Sequence, residues 1–311
     1  MNITVLKHIH LTTIPSASAV EVINGNIYIV GDDSSFLYVL KYDLTVLAEV
    51  PLYQAKAEDL TGNRILKKKK ADLECITKLT INGYPHLLIL GSGSKSPRRD
   101  VAFLVKLPTP YNRKHLAWEI SLVKWYSFLR MNEEVTGPNG VLNFEAAATT
   151  DEYLYVFNRE NNAALRFDLP EFIEFIQGHT DSVPFPTVIP TDLPEIDGIR
   201  SGFSGADYFD NKLFFTAAAE NTSNAIDDGA IMGSAVGILS FNGEEKTRGK
   251  LTDGFTGEIS QFTLIPNIED RPLKIESISV YEKENANTYI AIAVSDDDLG
   301  GSDILMLQLD L

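Results

Sequence analysis

The sequence predicts an all-β fold, a single five-bladed β-propeller that spans residues 1–311. Three observations predict it: apolar residues alternate with a period of two, five related strands recur along the chain, and their spacing closes into a circle. Recurrence every ~40 to 70 residues in an all-β chain is typical of propeller blades. No stretch rich in proline, glycine or serine divides the chain, so we expect one domain.

The alternating pattern appears in short runs of β-branched and aromatic residues, such as NIYIVGDD, EYLYVF, KLFFTA and TYIAIAVSDD. Asn-Gly, Asp-Asn and Asp-Glu pairs punctuate these runs and predict tight turns between strands. Only residues 170–178 and 125–131 have a helix-like pattern. Both segments are too short to form a layer of helices, so the chain is predicted to be built from strands.

Five related first strands define the blades. They begin at Ser16, Asp72, Asn143, Gly202 and Lys274, and each leads through a turn into a second, more apolar strand. The equivalent positions within them are Ser18, Glu74, Glu145, Ser204 and Glu276, separated by 56, 71, 59 and 72 residues. Counting from Glu276 through the C-terminus to Ser18 gives 53 residues, which is one further blade.

The last unit has three evident strands, whereas residues 3–11 form a strand without a blade. We therefore expect the N-terminal strand to complete the fifth blade, which removes the unpaired edges of an open ring. The alternative is a six-bladed ring. It would need the segment EISQFTLIP (258–266) as a further first strand, and we interpret that segment as the outer strand of blade four.

The amino-acid composition of the chain limits the classes of molecule that it is expected to bind. The formal net charge of −16 and the isoelectric point near 4.7 disfavour nucleic acid and anionic membranes, which select basic surfaces, and favour cations. Cys75 is the only cysteine, so no intrachain disulfide can form. The first residues lack the pattern of a signal peptide, and a cytoplasmic protein is expected unless a leader was trimmed beforehand.

The first strand of each blade lines the axis of a propeller, so one repeated position forms a ring. Three carboxylates in such a ring repel one another, and burial adds to the cost of their charge unless a cation compensates. Calcium suits such a site because it accepts six to eight oxygens with loose geometry. The predicted Ca²⁺ ligands are Ser18, Glu74, Glu145, Ser204 and Glu276. In the alternative interpretation these side chains bond backbone amides and water fills the axis.

Loops on the same face should form a polar mouth above the ring. The basic residues among them suit a phosphate or carboxylate group of a small-molecule ligand, since guanidinium groups bind such anions in a bidentate manner. The predicted ligand-binding residues are Asp33, Lys95, Arg98, Arg99, Arg159 and Glu220. The same loops carry Asp32, Asn158, Asn221, Asp227, Asp228, Asp296–Asp298 and the lysine run Lys67–Lys70.

The order Ser, Glu, Glu, Ser, Glu in these five motifs resembles the calcium-activated nucleotidase (apyrase) family. That resemblance implies a five-bladed propeller with one axial calcium that hydrolyses nucleoside diphosphates and triphosphates. The repeats also resemble bacterial propellers related to phytase-like and gluconolactonase-like proteins. The long substrate-binding stretches of the nucleotidase family are not evident, so the resemblance implies metal binding more strongly than catalysis.

Three functions follow as alternatives: a calcium-dependent hydrolase of a phosphorylated or anionic small molecule, a non-catalytic binding or scaffold propeller, and a lactonase-like enzyme. The third expects asparagine and aspartate at the axis, where this chain has serine and glutamate. The five histidines are scattered and indicate no zinc site. No nucleophile elbow, P-loop or dinucleotide fingerprint is present.

Overall fold

A computed structural model describes residues 1–221, 229–242, 256–297 and 299–311. The strands and helices in chain order are β1 (Asn2–Leu11), β2 (Ala17–Ile23), β3 (Asn26–Gly31), β4 (Phe36–Lys41), β5 (Val46–Pro51), β6 (Leu60–Thr61), β7 (Arg64–Ile65), β8 (Leu73–Ile81), β9 (Tyr84–Gly91), β10 (Val101–Lys106), β11 (Leu116–Ser121), α1 (Val123–Arg130), α2 (Glu133–Thr136), β12 (Phe144–Thr149), β13 (Tyr153–Asn158), β14 (Ala163–Asp168), α3 (Leu169–Ile176), β15 (Thr187–Pro190), β16 (Gly202–Phe209), β17 (Lys212–Asn221), β18 (Ala230–Asn242), β19 (Thr256–Leu264), β20 (Ile275–Lys283), β21 (Thr288–Asp296) and β22 (Ser302–Asp310).

Five antiparallel four-stranded sheets form the blades, as the sequence predicts. Blades one to four are β2–β5, β8–β11, β12–β15 and β16–β19, and blade five has the order β20-β21-β22-β1. The N-terminal strand β1 therefore closes the last blade, in register from Asn2 opposite Asp310 to Leu11 opposite Ser302. The segment that a six-bladed ring would need belongs to β19, the outer strand of blade four. The five-bladed prediction is confirmed.

The turns between first and second strands follow from residues that tolerate a positive φ. Asn24-Gly25 and Asn82-Gly83 both have positive φ at their two positions, as do Asp210 and Asn211. This conformation matches the right-handed twist of the two strands that each turn joins. The predicted Asn-Gly and Asp-Asn turns therefore appear where the alternating pattern breaks.

The helices are as short as expected. α3 begins after Asp168, whose carboxylate accepts a hydrogen bond from the Glu171 amide at 2.8 Å, and a proline lies in its first turn. α1 buries Trp125, Tyr126 and Leu129 against blades two and three. Among the described residues, no helix combines the length and the apolar character needed to cross a bilayer.

The core consists of separate apolar layers between neighbouring blades. Each pair of neighbouring blades shares one cluster of buried apolar residues. The pairs are blades one and two, two and three, three and four, four and five, and five and one. The first strands β2, β8, β12, β16 and β20 contact one another in a ring. Where blade one meets blade five, the backbone amide of Val20 donates a hydrogen bond to the hydroxyl of Ser277, and that of Val22 donates to the hydroxyl of Ser279.

Candidate functional site

The five predicted ring residues occupy equivalent positions. In every blade the pairing of first and second strands skips one residue of the first strand, which is a β-bulge. The skipped residues are Ser18, Glu74, Glu145, Ser204 and Glu276. A bulge redirects the side chain of the extra residue, so the repeat found in the sequence corresponds to a repeated backbone irregularity at one end of the axis.

The two ring serines bond to neighbouring protein groups. Ser18 Oγ donates to the backbone carbonyl of Leu73 in the adjacent blade and lies 3.3 Å from that of Val30. Ser204 Oγ donates to Thr216 Oγ1 at 3.1 Å. These hydroxyls link strands, and the charged part of the ring consists of its three glutamates.

Glu74 lies next to two carboxylates from outside the predicted ring. Ligand oxygens of Asp32, Asp72 and Glu74 all lie within 4.8 Å of one another. Asp32 directly follows β3, and Asp72 directly precedes β8 with a φ of 58°, a left-handed conformation that aspartate tolerates better than most residues. Asp32 Oδ1 is buried without a hydrogen-bond partner. The cluster therefore includes a buried carboxylate oxygen that makes no hydrogen bond.

Lys70 supplies the positive charge nearest to this cluster. Its ammonium bonds to Asp32 and lies 3.2 Å from Asp33 Oδ1 and 3.1 Å from Asp72 Oδ1. Arg99 Nη1 adds a contact of 2.5 Å to Asp72 Oδ2. One member of the lysine run therefore lies inside the site, although such runs usually face solvent.

The opposite half of the mouth pairs the other two ring glutamates with Arg159 and Lys274. Lys274 Nζ lies 3.1 Å from Glu276 Oε1 and 3.2 Å from Glu220 Oε1. Arg159 Nη2 donates to Glu220 Oε2 at 3.0 Å, while its Nη1 lies 4.0 Å from Glu145 Oε2 and has no hydrogen-bond partner. This half of the mouth therefore contains a buried guanidinium nitrogen that forms an ion pair but no hydrogen bond.

A glycine makes room for the arginine. A Cβ atom on Gly202 would lie 2.7 Å from Cγ of Arg159, closer than real side-chain contacts allow. Gly202 precedes Ser204 on β16 by two residues, so the first strand of blade four is shaped around a side chain from blade three.

Burial and mutual repulsion raise the pKa of the acidic groups. Burial raises the pKa of Glu74 well above its usual value, and Glu145 and Asp72 add repulsion. Burial raises the pKa of Glu145 to about 7 although Arg159 lowers it, and raises the pKa of Asp32 to about 6 although Lys70 lowers it. These buried carboxyl groups therefore keep their protons up to a higher pH than exposed carboxyl groups do.

Charge balance indicates what the mouth can bind. Within the described part of the chain, the contacts given above involve seven carboxylates, of Asp32, Asp33, Asp72, Glu74, Glu145, Glu220 and Glu276, and five basic groups, of Arg64, Lys70, Arg99, Arg159 and Lys274. When these groups are all ionised, the carboxylates outnumber the basic groups by two. The all-oxygen donors around Asp32 fit a hard divalent cation such as calcium, which would balance this excess.

The structure separates the predicted ligand-binding residues into two groups. Arg99, Arg159, Asp33 and Glu220 contribute to the mouth as described, with Asp33 bonded to Arg64 and Ser16. Lys95 and Arg98 lie exposed on the loop after β9, and Arg98 donates to the backbone carbonyl of Lys69 at 2.6 Å. Asp227, Asp228 and Asp298 lie outside the described residues.

Sequence reasoning missed a second charged cluster deeper in the axis. Lys78 Nζ lies 3.0 Å from both Glu21 Oε1 and Asp207 Oδ1, and Ser279 Oγ lies within hydrogen-bond distance of both carboxylates, at 3.3 Å and 3.2 Å. Glu21, Asp207 and Ser279 each follow a ring residue by three positions. A bulge offsets the alternation by one residue, so a search at even spacing overlooks them. The sequence also offered a second signal of the charged axis, a charged residue directly before a first strand: Asp72 precedes β8 and Lys274 precedes β20.

Comparison with known proteins gives a family. A family model described as Family of unknown function (DUF6929) matches residues 13–309. No curated protein matches the chain.

Solved structures are similar at low identity. Virginiamycin B lyase from Staphylococcus aureus is 12% identical with a TM-score of 0.38, over 99% of this chain and 100% of that one. The Cps50 (Swd1) β-propeller domain of Myceliophteria thermophila is 9% identical with a TM-score of 0.40, over 96% and 99%. The tail fibre of Staphylococcus aureus phage P68 is 9% identical with a TM-score of 0.47, over 100% and 53%. The chain spans little more than half the length of this fibre and of two further matched chains.

Proposed function

We propose a function for this chain, which belongs to the Family of unknown function (DUF6929): it binds a divalent cation, calcium in the first instance, together with an anionic small molecule at the axial mouth. One observation carries the proposal. A buried acceptor without a partner, Asp32 Oδ1, and a buried donor without a partner, Arg159 Nη1, occur in the same charged mouth. Buried polar atoms are rarely left unpaired, so this combination favours a ligand pair of opposite charges.

The cation half of the proposal rests on Asp32, Asp72 and Glu74, whose oxygens are close enough to share one ion. The cation would take over the charge-compensating role of the Lys70 ammonium, which contacts Asp32 and Asp72. When bound, calcium supplies polarisation of a phosphoryl or carboxyl oxygen and a lower pKa for a bound water. The other predicted ring glutamates, Glu145 and Glu276, adjust the charge around it.

The anion half rests on Arg159 and Lys274. Both side chains are less than a fifth exposed and are held by Glu220, so their positions are set before a ligand arrives. Nη1 of Arg159 forms an ion pair with Glu145 but no hydrogen bond, so a phosphate or carboxylate oxygen bound beside it would complete its hydrogen bonding. The anionic ligand therefore bridges the cation and the guanidinium group.

Hydrolysis of a phosphorylated small molecule is the reaction that this pairing suits. Glu145 has a pKa of about 7 and accepts a hydrogen bond of 2.6 Å from Asn143 Nδ2, which orients it. A carboxylate with a pKa near neutrality is suited to general-base catalysis. Glu145 would take the proton of a water whose oxygen bonds to phosphorus, while the bond from phosphorus to the leaving oxygen breaks.

A scaffold role is the second candidate. Lys70, Arg159 and Lys274 already neutralise much of the mouth, and their ion pairs connect blade one with blade two and blades three and five with blade four. In that role the charges hold the ring together and no substrate is turned over. No separate contact favours the lactonase-like alternative, which the same assays would test.

Calorimetric titration with calcium chloride tests the cation half. We expect binding by the wild-type chain and at least tenfold weaker binding by Asp32→Asn and Glu74→Gln, because each removes a charged ligand. Asp43→Asn is the control, since Asp43 is an exposed carboxylate on the turn after β4. Equal calcium affinity in all four proteins, or no binding in any, would contradict a cation site at Asp32.

Phosphate binding and turnover test the anion half. We expect calcium to strengthen inorganic phosphate binding in wild type and Arg159→Gln to weaken phosphate binding while calcium affinity persists. Phosphate release from nucleoside triphosphates should require calcium, stop with chelator, and fall ~100-fold or more in Glu145→Gln. Anion binding without turnover on phosphoester and lactone panels would support the scaffold role and refute hydrolysis.

A further inference from the structure

A cavity of about 860 Å³ opens on the face of the propeller opposite the axial mouth. Its lining comes from the distal ends of the first strands and the turns after them, including Asn24, Thr80, Thr150 and Asn211. Ring residues such as Glu74 lie at the beginning of the same strands. Four residues of strand separate Glu74 from Lys78 at the cavity floor, about 13 Å at the usual rise. The cavity is therefore distinct from the charged mouth.

A fixed lysine forms the floor of this cavity. Lys78 Nζ is held at 3.0 Å by both Glu21 and Asp207, and its side chain is 35% exposed whereas those of the two carboxylates are 3% exposed. The carboxylates are thus buried behind the ammonium, and Lys78 alone presents charge to the cavity at this point. Its charge is already balanced, so it offers a positioned hydrogen-bond donor rather than a strong attraction for anions.

The walls alternate aromatic rings with small polar groups. The ring of Tyr155 stacks on that of Phe241 with centroids 5.1 Å apart and an interplanar angle of 10°, and Tyr153 and Tyr208 line the same space. Tyr208 donates a hydrogen bond to Asn211 at 3.3 Å, which fixes its ring at the rim. Hydroxyl and amide groups lie between these rings, from Asn24, Thr80, Thr149, Thr150, Asn211 and Ser240.

The lining defines the chemistry of the ligand. The charged groups among these residues are Lys78, already paired with two carboxylates, and the exposed Asp151 and Glu152 at the rim, so the lining offers no unpaired positive charge to an anion. Donors and acceptors that alternate with aromatic faces match a neutral molecule with many hydroxyls and apolar C–H faces. The volume is within the range of small-molecule sites, ~300 to 1,000 Å³.

We propose that this cavity binds a short neutral saccharide, with sugar rings against Tyr153 and Tyr208 and a hydroxyl accepting from the Lys78 ammonium. The proposal is independent of the function at the mouth, because the two sites share no residue. A saccharide there would be held by the propeller whether or not the opposite face binds calcium.

Ligand-observed saturation-transfer NMR with the neutral disaccharides maltose, cellobiose and chitobiose tests the proposal. We expect at least one to bind, with at least about tenfold weaker binding in Tyr208→Ala and Tyr153→Ala. Tyr111→Ala, at a tyrosine that is 99% exposed and outside the cavity lining, is the matched control and should bind as wild type does. Circular dichroism checks that each variant retains the sheet.

Other outcomes would overturn the proposal. They are the absence of binding by all three sugars at millimolar concentration, equal binding by wild type and both tyrosine variants, or tighter binding of glucuronate or glucosamine than of the neutral sugars. The last result would mean that the cavity selects charge. Loss of calcium binding in Asp32→Asn without loss of sugar binding would separate this site from the function proposed for the mouth.

Discussion

Single residues in the axis are governed by competition between burial and charge pairing. Glu21 illustrates this, because burial raises its pKa to about 7 even though Lys78 lowers it, while Asp207 adds repulsion. The folded chain therefore holds a proton that the unfolded chain releases at a lower pH. The buried ion pair has a cost in free energy that a sequence pattern does not reveal.

This pKa has a defined consequence for stability. Because the pKa of Glu21 is raised from 4.5, its stabilising contribution is complete below pH 4.5 and is lost as pH rises through about 7, a change of about 3 kcal/mol at most. We expect Glu21→Gln to flatten the decline of the free energy of unfolding between pH 5 and pH 8, measured by urea titration. Parallel curves for wild type and variant would show that Glu21 does not titrate in this range.

Gly205 allows neighbouring first strands to approach closely. A Cβ atom there would lie 2.5 Å from Cα of Ser277 and 2.6 Å from Thr216 Oγ1. Because backbone cannot move aside as a flexible side chain can, we expect Gly205→Ala to lower the free energy of unfolding by ~1 to 3 kcal/mol, measured by urea titration. An unchanged unfolding midpoint would mean that blades four and five can separate at no cost.

Among the strands, the recurring device is the bulge in each first strand. It explains why an oxygen-bearing residue recurs once per blade and why Glu21 and Asp207, deeper in the axis, follow it by three positions. The sequence revealed the first regularity through its period. The second required the pairing register, because one skipped residue reverses which side chains share a face.

Strand β1 closes the ring through buried charge as well as backbone pairing. Asp303 on β22 is buried, and its Oδ1 lies 2.8 Å from His8 Nε2 and 3.2 Å from His10 Nδ1 on β1, while Arg271 donates to its Oδ2. Two of the five histidines of the sequence thus meet at the closure. Burial raises the pKa of Asp303, but hydrogen bonds from both histidines outweigh it and hold the pKa below its usual value.

We expect Asp303→Asn to weaken the closure, because the amide cannot accept from three donors or balance the charge of Arg271. The free energy of unfolding at pH 7 should fall by ~1 to 3 kcal/mol, measured by urea titration. Asp43→Asn, at an exposed turn, is the control and should change it little. Stability of Asp303→Asn equal to that of wild type would show that backbone pairing alone closes the ring.

At the level of the whole molecule, five wedges of apolar core surround an acidic axis, and the chain carries a net charge of −16. Self-repulsion of this size destabilises the compact state and is reduced by screening. We expect sodium chloride to raise the melting temperature. Calcium chloride at equal ionic strength should raise it further in wild type and no more than sodium chloride does in Glu74→Gln. If the two salts raise the melting temperature of wild type equally, charge screening alone explains the increase and calcium binding at the mouth is contradicted.

The sequence by itself determined the architecture: a period of two makes strands, Asn-Gly and Asp-Asn pairs make turns, and five spaced first strands with an unpartnered N-terminal strand make a closed five-bladed ring. These signals are local or repeated along the chain, so they can be recognised in the amino-acid sequence alone. Only the tertiary structure decided which charges meet. Lys70, Arg159 and Lys274 lie among carboxylates from several blades, and Lys78 lies at an aromatic cavity. These contacts arise because the angle between blades and the bulge in each first strand bring together side chains that are far apart in the chain.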